Sequence, residues 1–312
     1  SRKMTSLKSG VKLTLMKKPK IKNLGWGTKM KKGLVLRGDL SFGDGTKYSG
    51  ALKSYKKQIP HGYGIYFFPK HGEMYKEEGI ELARIKYYSG NFRNGKFHGQ
   101  GSFSGTGEYK YKGEFKNGKL HGKGIIKYWK NNESFEGYFK NDRKLSGKWK
   151  FPSGDQYEGP IKNDSANGYG KSIYKKSGAK YIGEFKNGVW DGKGKEIQKN
   201  GSVYIGKFKN GKRHGYGVVT HKKTYYKGQW IKGLRTGTGI FNFGDGGIYK
   251  GQWKNDTMHG KGVLTESKGK TAGQVYSGQW KNGVMDGIFI SKDKTGKKRK
   301  ELWREDKFIK LI

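Results

Sequence analysis

One line of sequence recurs along most of this chain, and recurrence at a fixed spacing leaves few ways to fold. Tyr249-Lys250-Gly251-Gln252-Trp253-Lys254-Asn255-Asp256-Thr257-Met258-His259-Gly260-Lys261-Gly262 returns almost unchanged from Tyr111 to Gly124, and again from Tyr204 to Gly217. Aromatic-x-Gly starts stand at Tyr48, Tyr88, Tyr111, Phe135, Tyr157, Tyr181, Tyr204, Tyr226, Tyr249 and Tyr276, and the steps from Tyr88 to Tyr249 are all 22 to 24 residues. Self-similarity at one period specifies a stacked array of like units, each burying its apolar face against its neighbours.

Within a unit, Tyr276, Gly278 and Trp280 share one strand face, and Ser277, Gln279 and Lys281 share the other. Asn282-Gly283 follows, the residue pair best suited to a two-residue hairpin because both positions accept positive φ. The same pair stands at Asn94, Asn117, Asn187 and Asn210, and Asn-Asp replaces it at Asn141, Asn163 and Asn255. The return strand carries Gly-x-Gly. Glycine weakens a strand, so its regular use implies that another group fills the space beside it. An aromatic ring from the paired strand is the expected occupant. Each repeat reads as one β-hairpin.

This pattern resembles the MORN repeat family, whose units run Tyr-x-Gly-x-aromatic-x-x-Gly-x-x-His-Gly-x-Gly. The resemblance covers about residues 37–290. The His-Gly-x-Gly slot departs from it at Asn167-Gly168, Asp191-Gly192 and Thr236-Gly237, and is degraded at Leu145-Ser146 and Asp286-Gly287. Pro160-Ile161 replaces the usual acid–aromatic pair in the fifth unit. The implied fold is all-β, an elongated single-layer antiparallel meander of about ten hairpins of ~23 residues. Residues 1–36 are expected to be a basic arm, 37–290 the array with an insertion at 69–86, and 291–312 a C-terminal cap or tail.

The chain has 312 residues, only 32% of them hydrophobic, with 54 glycines. Without the period, that composition would suggest disorder. The 14% aromatic share supplies the apolar area instead. Cysteine is absent, which excludes disulfides and thiolate metal sites and fits an intracellular protein. No apolar run reaches transmembrane length.

Candidate chemistry is sparse. His61, His98, His121, His214 and His259 occupy one slot of the repeat, a repeat or more apart, whereas metal or catalytic work needs ligands clustered at fixed spacing. A local hydrogen bond near a turn is their expected role. The Gly-x-Gly pairs are followed by strands rather than by the helix that a phosphate loop requires. Carboxylates such as Glu114 and Glu184 read as partners of neighbouring lysines. No cofactor or metal is expected. Some proteins resembling this one join their repeats to a methyltransferase or lipid-kinase domain, but about 22 residues after Ser291 leave no room for either. No enzymatic activity is expected.

Two features point to partners. The first is charge: 67 basic residues against 25 acidic ones, formally +42, with only nine arginines. Lysines are mobile point charges that attract a polyanion without reading its sequence. The acidic surface of tubulin is the favoured partner, since the resemblance implies scaffolds of cilia, the cytoskeleton and membrane junctions. Anionic lipid and the RNA of an organellar ribonucleoprotein, such as a mitochondrial ribosome, are the alternatives. The acid-free segment 1–36, with Lys17, Lys18, Lys20, Lys22, Lys29, Lys31 and Lys32, reads as a polyanion-binding arm or the remainder of an organellar leader. The second is the aromatic–glycine face. Tyr181, Phe185, Tyr204, Phe208, Tyr226, Trp230, Tyr249, Trp253, Tyr276 and Trp280 are expected to line a shallow protein-binding groove.

Overall fold

The computed structural model describes residues 37–42, 45–54, 58–68, 85–105, 109–244, 246–269 and 271–312. The basic arm and nearly all of the 69–86 insertion lie outside them. The chain divides into two units at Asn167/Gly168, inside the stretch expected to be one array.

The first unit contains β1 (Arg37–Ser41), β2 (Lys47–Leu52), β3 (Pro60–Phe67), β4 (Ile85–Arg93), β5 (Lys96–Gly105) and β6 (Tyr109–Lys116). It continues with β7 (Lys119–Tyr128), β8 (Glu133–Lys140), β9 (Arg143–Lys150), β10 (Gln156–Lys162) and the short β11 (Ser165–Ala166). Each strand pairs antiparallel with the next.

The second unit begins with β12 (Gly168–Ile173), β13 (Lys180–Lys186), β14 (Val189–Ile197), β15 (Val203–Lys209), β16 (Lys212–His221) and β17 (Thr224–Ile231). Then follow β18 (Leu234–Asn242), β19 (Ile248–Lys254), β20 (Thr257–Thr265), β21 (Val275–Lys281), β22 (Val284–Lys292), β23 (Lys298–Arg304) and β24 (Lys307–Leu311). It too is an antiparallel meander. The segment expected to cap the array contributes a further hairpin, β23–β24.

The turns follow their sequence. Asn187 and Gly188 have φ of 50° and 80°, and Asn210 and Gly211 of 51° and 74°. Both central residues are thus left-handed, which matches the twist of the flanking strands. Beyond the turn the return strand bulges. Trp253 pairs with Met258 and Gly251 with Gly262, so Gln252 alone faces His259, Gly260 and Lys261. Gly260 sits at φ 61°, and this bulge is why the His-Gly slot requires glycine.

The glycines form a file across each sheet. In the second unit Gly183, Gly194, Gly206, Gly217, Gly228, Gly239, Gly251 and Gly262 pair in succession. The end of the Tyr204 ring lies over Gly206 in its own strand and Gly217 in the next, in space that a Cβ would otherwise fill. Each tyrosine hydroxyl then donates to a backbone carbonyl three residues on, as Tyr181 does to Glu184 at 2.9 Å. Burial thus leaves none of these tyrosine hydroxyls orphaned.

Adjacent repeats meet ring edge to ring face. Tyr204 contacts Phe208 at 5.1 Å and Trp230 at 5.3 Å, and Tyr226 contacts Trp230 and Trp253 at 5.3 and 5.1 Å. Tyr249 meets Trp253 and Trp280 at 5.4 and 5.2 Å. The first unit builds the same ladder from Tyr48, Phe92, Tyr88, Phe115, Tyr111 and Phe139. The ladder changes at its last step. Phe289 stands opposite Gly278, where a glycine would be expected, and its buried ring takes the place over Gly278. Tyr276 is left half-buried, donating to the Gln274 side chain.

Candidate interaction surfaces

The ten aromatics expected to line a groove lie on one face, but that face is interior. Tyr181, Phe185, Tyr204, Phe208, Tyr226, Trp230, Tyr249, Trp253 and Trp280 are all 5% exposed or less, and only Tyr276 is half-buried. Burial pushes the Tyr204 and Tyr249 phenols up to about 12 and raises those of Tyr181 and Tyr226 further. The reason is geometric: each ring edge that a partner would need is occupied by the neighbouring repeat's ring. The rings hold the hairpins together and do not form an open cleft.

The slot just after each turn covers this ring row. Phe97 stacks on Tyr88 at 3.7 Å, and Trp190 stacks on Tyr181 at 4.4 Å. Leu120, Met258 and Met285 take the slot in other hairpins, and in three more a cation does. Arg213 lies 4.8 Å from the centre of Tyr204 and is paired with Glu196 at 3.0 Å. Arg235 lies 4.5 Å from the centre of Trp253 and is paired with Asp256 at 3.0 Å. Lys144 is the extreme case, its ammonium 3.8 Å from the centre of the Trp149 ring and its side chain 2% exposed. Its nearest carboxylate, Glu133, is 3.9 Å away and accepts the Trp149 indole N–H at 2.9 Å. Burial lowers the Lys144 pKa, and Glu133 only partly counters it. Beside Trp190, a cavity of about 500 Å³ is lined by Tyr174, Val189, Glu196, Gln198 and Asn200.

The polar slots of the repeat are structural. His98 Nδ1 faces the backbone N–H of Asn117 at 3.5 Å, and Asp191 accepts the corresponding bond from Asn210 at 3.2 Å. The histidine bond thus reaches into the next hairpin, where a local bond was expected, and the Nδ1 atoms of His121 and His259 are buried without a hydrogen-bond partner. The acidic slot does something else than pair with lysine. Glu114 accepts the Lys123 N–H at 3.0 Å across the bulge, as does Glu184 for Lys193. Gln229 and Gln252 do the same for Thr238 and Lys261, which explains why glutamine is interchangeable there. The Asn-Asp turns also carry a bond that the turn motif alone does not announce. Asp142 Oδ1 accepts the Leu120 N–H at 2.8 Å, and Asp256 Oδ1 the Arg235 N–H at 2.9 Å. Each aspartate therefore ties its hairpin to the previous one, a role signalled only by its replacing glycine.

What remains open is the outer face. In the second unit Lys171, Ile182, Lys195, Ile205, Val218, Lys227, Ile240, Lys250 and Val263 pair successively, forming a single cross-strand row. The four lysines are exposed, and Ile182, Val218, Ile240 and Val263 in the same row are half-buried. Tyr169 and Tyr216 also stand on this side, 65% and 53% exposed. Among the described residues, no His, Asp or Glu cluster of three or more is placed to hold a metal ion. No helix among them is long and apolar enough to cross a membrane.

A family model described as the MORN repeat matches residues 55–73, 88–107, 111–128, 181–203, 204–222, 226–248, 249–271 and 276–288. A search of curated proteins gave no significant match. Among solved structures, the SAS-4 (dCPAP) TCP domain of Drosophila melanogaster, in complex with a proline-rich motif of Ana2 (dSTIL), is similar at 13% identity and a TM-score of 0.24. That likeness covers 58% of this chain and 79% of the other. The repeat matches span just over half of the sequence, and the chain belongs to the MORN repeat family.

Proposed function

We propose that this protein is a non-enzymatic scaffold subunit of a large cytoskeletal assembly, in a cilium or on microtubules, that docks an acidic protein surface on its lysine-rich outer face. The carrying observation is the division of labour between the faces. The rings are consumed as core, and in the second unit the open side presents a row of lysines with no carboxylate among its members, whereas in the first unit Lys148 stands between Glu136 and Glu158. Family membership supports the scaffold role, because MORN repeats are non-catalytic units of protein or membrane-lipid interaction. Such a face attracts a polyanion over long range and loses it as salt rises.

Co-sedimentation of the full chain with microtubules, anionic vesicles and single-stranded RNA across a salt series tests the proposal. Binding retained at about 0.15 M salt by microtubules alone is the expected result: the ~8 Å screening length there suppresses long-range attraction, so only a surface in direct contact with the lysines is held. Retention by vesicles alone would favour a peripheral membrane adaptor. Retention by RNA alone would favour an accessory protein of an organellar ribonucleoprotein. Retention by none would overturn the electrostatic basis of the proposal.

A further inference from the structure

The turns between β4 and β9 carry more charge than their fold needs. Each is flanked by two residues that face each other on the outer side of the sheet. Those pairs are Arg93 with Lys96, Lys116 with Lys119, and Lys140 with Arg143. Like charges directly opposite in an antiparallel pair repel. The second unit shows that the hairpin does not require them. Opposite Lys186, Lys254 and Lys281 stand Val189, Thr257 and Val284, and Ile231 faces Leu234. There Lys209 with Lys212 and Arg304 with Lys307 form doubled pairs, but they are not in successive hairpins.

Within the described residues the three successive pairs are offset only in part, by the attraction between Lys119 and the buried Asp142. No ion pair joins any of the six to a carboxylate. The nearby carboxylates, Glu114 and Asp142, accept the backbone N–H groups of Lys123 and Leu120. Lys53 adds a further cation at the first turn, its ammonium 2.8 Å from the Asn94 side-chain oxygen. Residues 93–96, 116–119 and 140–143 include no aromatic on which a nucleic-acid base would stack.

The spacing selects among acidic partners. Successive hairpins lie two strands apart, about 9.6 Å. A fully extended peptide would turn every third side chain to the opposite face, but a polyproline II peptide, with three residues per turn at ~3.1 Å each, presents the same face about every 9.3 Å. We infer that this turn edge binds an acidic peptide segment in the polyproline II conformation whose carboxylates recur every third residue, crossing the three hairpins at right angles to the strands. This rests on the proposed acidic protein partner and names the kind of segment it presents.

The test is fluorescence anisotropy of the full chain with a labelled twelve-residue peptide carrying glutamate at every third position, beside a peptide of equal composition with contiguous glutamates. The spaced peptide is expected to bind more tightly. The triple variant Lys96→Thr, Lys119→Thr, Arg143→Thr installs the residue found at Thr257. It is expected to weaken binding about tenfold, the loss of three interface charges, while Tm holds or rises. Lys186→Thr, Lys254→Thr, Lys281→Thr removes equal charge elsewhere and is expected to change binding by less than about twofold. Equal losses from both triples, or equal affinity for both peptides, would overturn the inference, as would tighter binding of a single-stranded oligonucleotide of equal charge. Microtubule pelleting without peptide binding would sink this inference and leave the scaffold proposal standing. Peptide binding without pelleting would do the reverse.

Discussion

At the scale of single residues, the polar positions of the repeat serve the backbone. Glu114 and Gln252 accept the same kind of N–H bond across the bulge, so charge is incidental to the slot. Glu114→Gln is therefore expected to leave stability within about 0.5 kcal/mol, whereas Glu114→Ala orphans the Lys123 N–H and costs about 1 kcal/mol. Urea unfolding of the two variants separates them. Asp142 adds a pH dependence. Burial outweighs its bond from Leu120 and the pull of Lys119, raising its pKa from 3.8 to about 6. A carboxyl whose folded pKa lies above its unfolded one adds stability that is complete below about pH 4 and is lost as pH rises through about 6. The difference in unfolding free energy between the wild type and Asp142→Asn should change across this window and be flat above pH 7. A difference constant from pH 4 to 7 would refute the shift.

At the scale of the hairpin, the glycine file is what the fold tolerates least. Gly217 has ordinary φ but no free space, because the Tyr204 ring end lies where its Cβ would go. Gly283 has open space around it but sits in a turn at φ 94°. Gly217→Ala is expected to cost about 3 kcal/mol through overpacking, and Gly283→Ala about 1 kcal/mol through backbone strain. Equal costs in denaturant melts would contradict the packing described here. Hairpins were legible in the sequence because Asn-Gly and Gly-x-Gly are local demands on φ and on space, met at Asn94, Asn117, Asn187, Asn210 and Asn282 and along the glycine file. The fate of the ring face was not legible. A period of two separates the faces of a strand without saying which is covered, and Trp253 reads the same as core or as groove. Asp256 was missed for a related reason: its bond reaches Arg235 in the previous hairpin, beyond any local motif. Phe289 was read as a degraded Gly-x-Gly slot, although its ring fills the place over Gly278.

At the scale of the molecule, period and charge carry most of the meaning. An array whose neighbours share rings should lose stability in proportion to the ladder contacts removed. Trp253→Ala breaks contacts with Tyr226 and Tyr249 and is expected to cost about 3–5 kcal/mol, seen as a fall in Tm. Function then has to reside on the face that stability leaves free. The most direct measurement of that claim is a mass-spectrometric footprint of the full chain, free and microtubule-bound, with lysine acylation and tryptophan oxidation read together. The expected result is protection of outer-face lysines, Lys116 and Lys119 among them, with Trp230, Trp253 and Trp280 inert in both states. Tryptophans that react in the free chain and become protected on binding, with lysine reactivity unchanged, would contradict it and restore the aromatic face as the binding site.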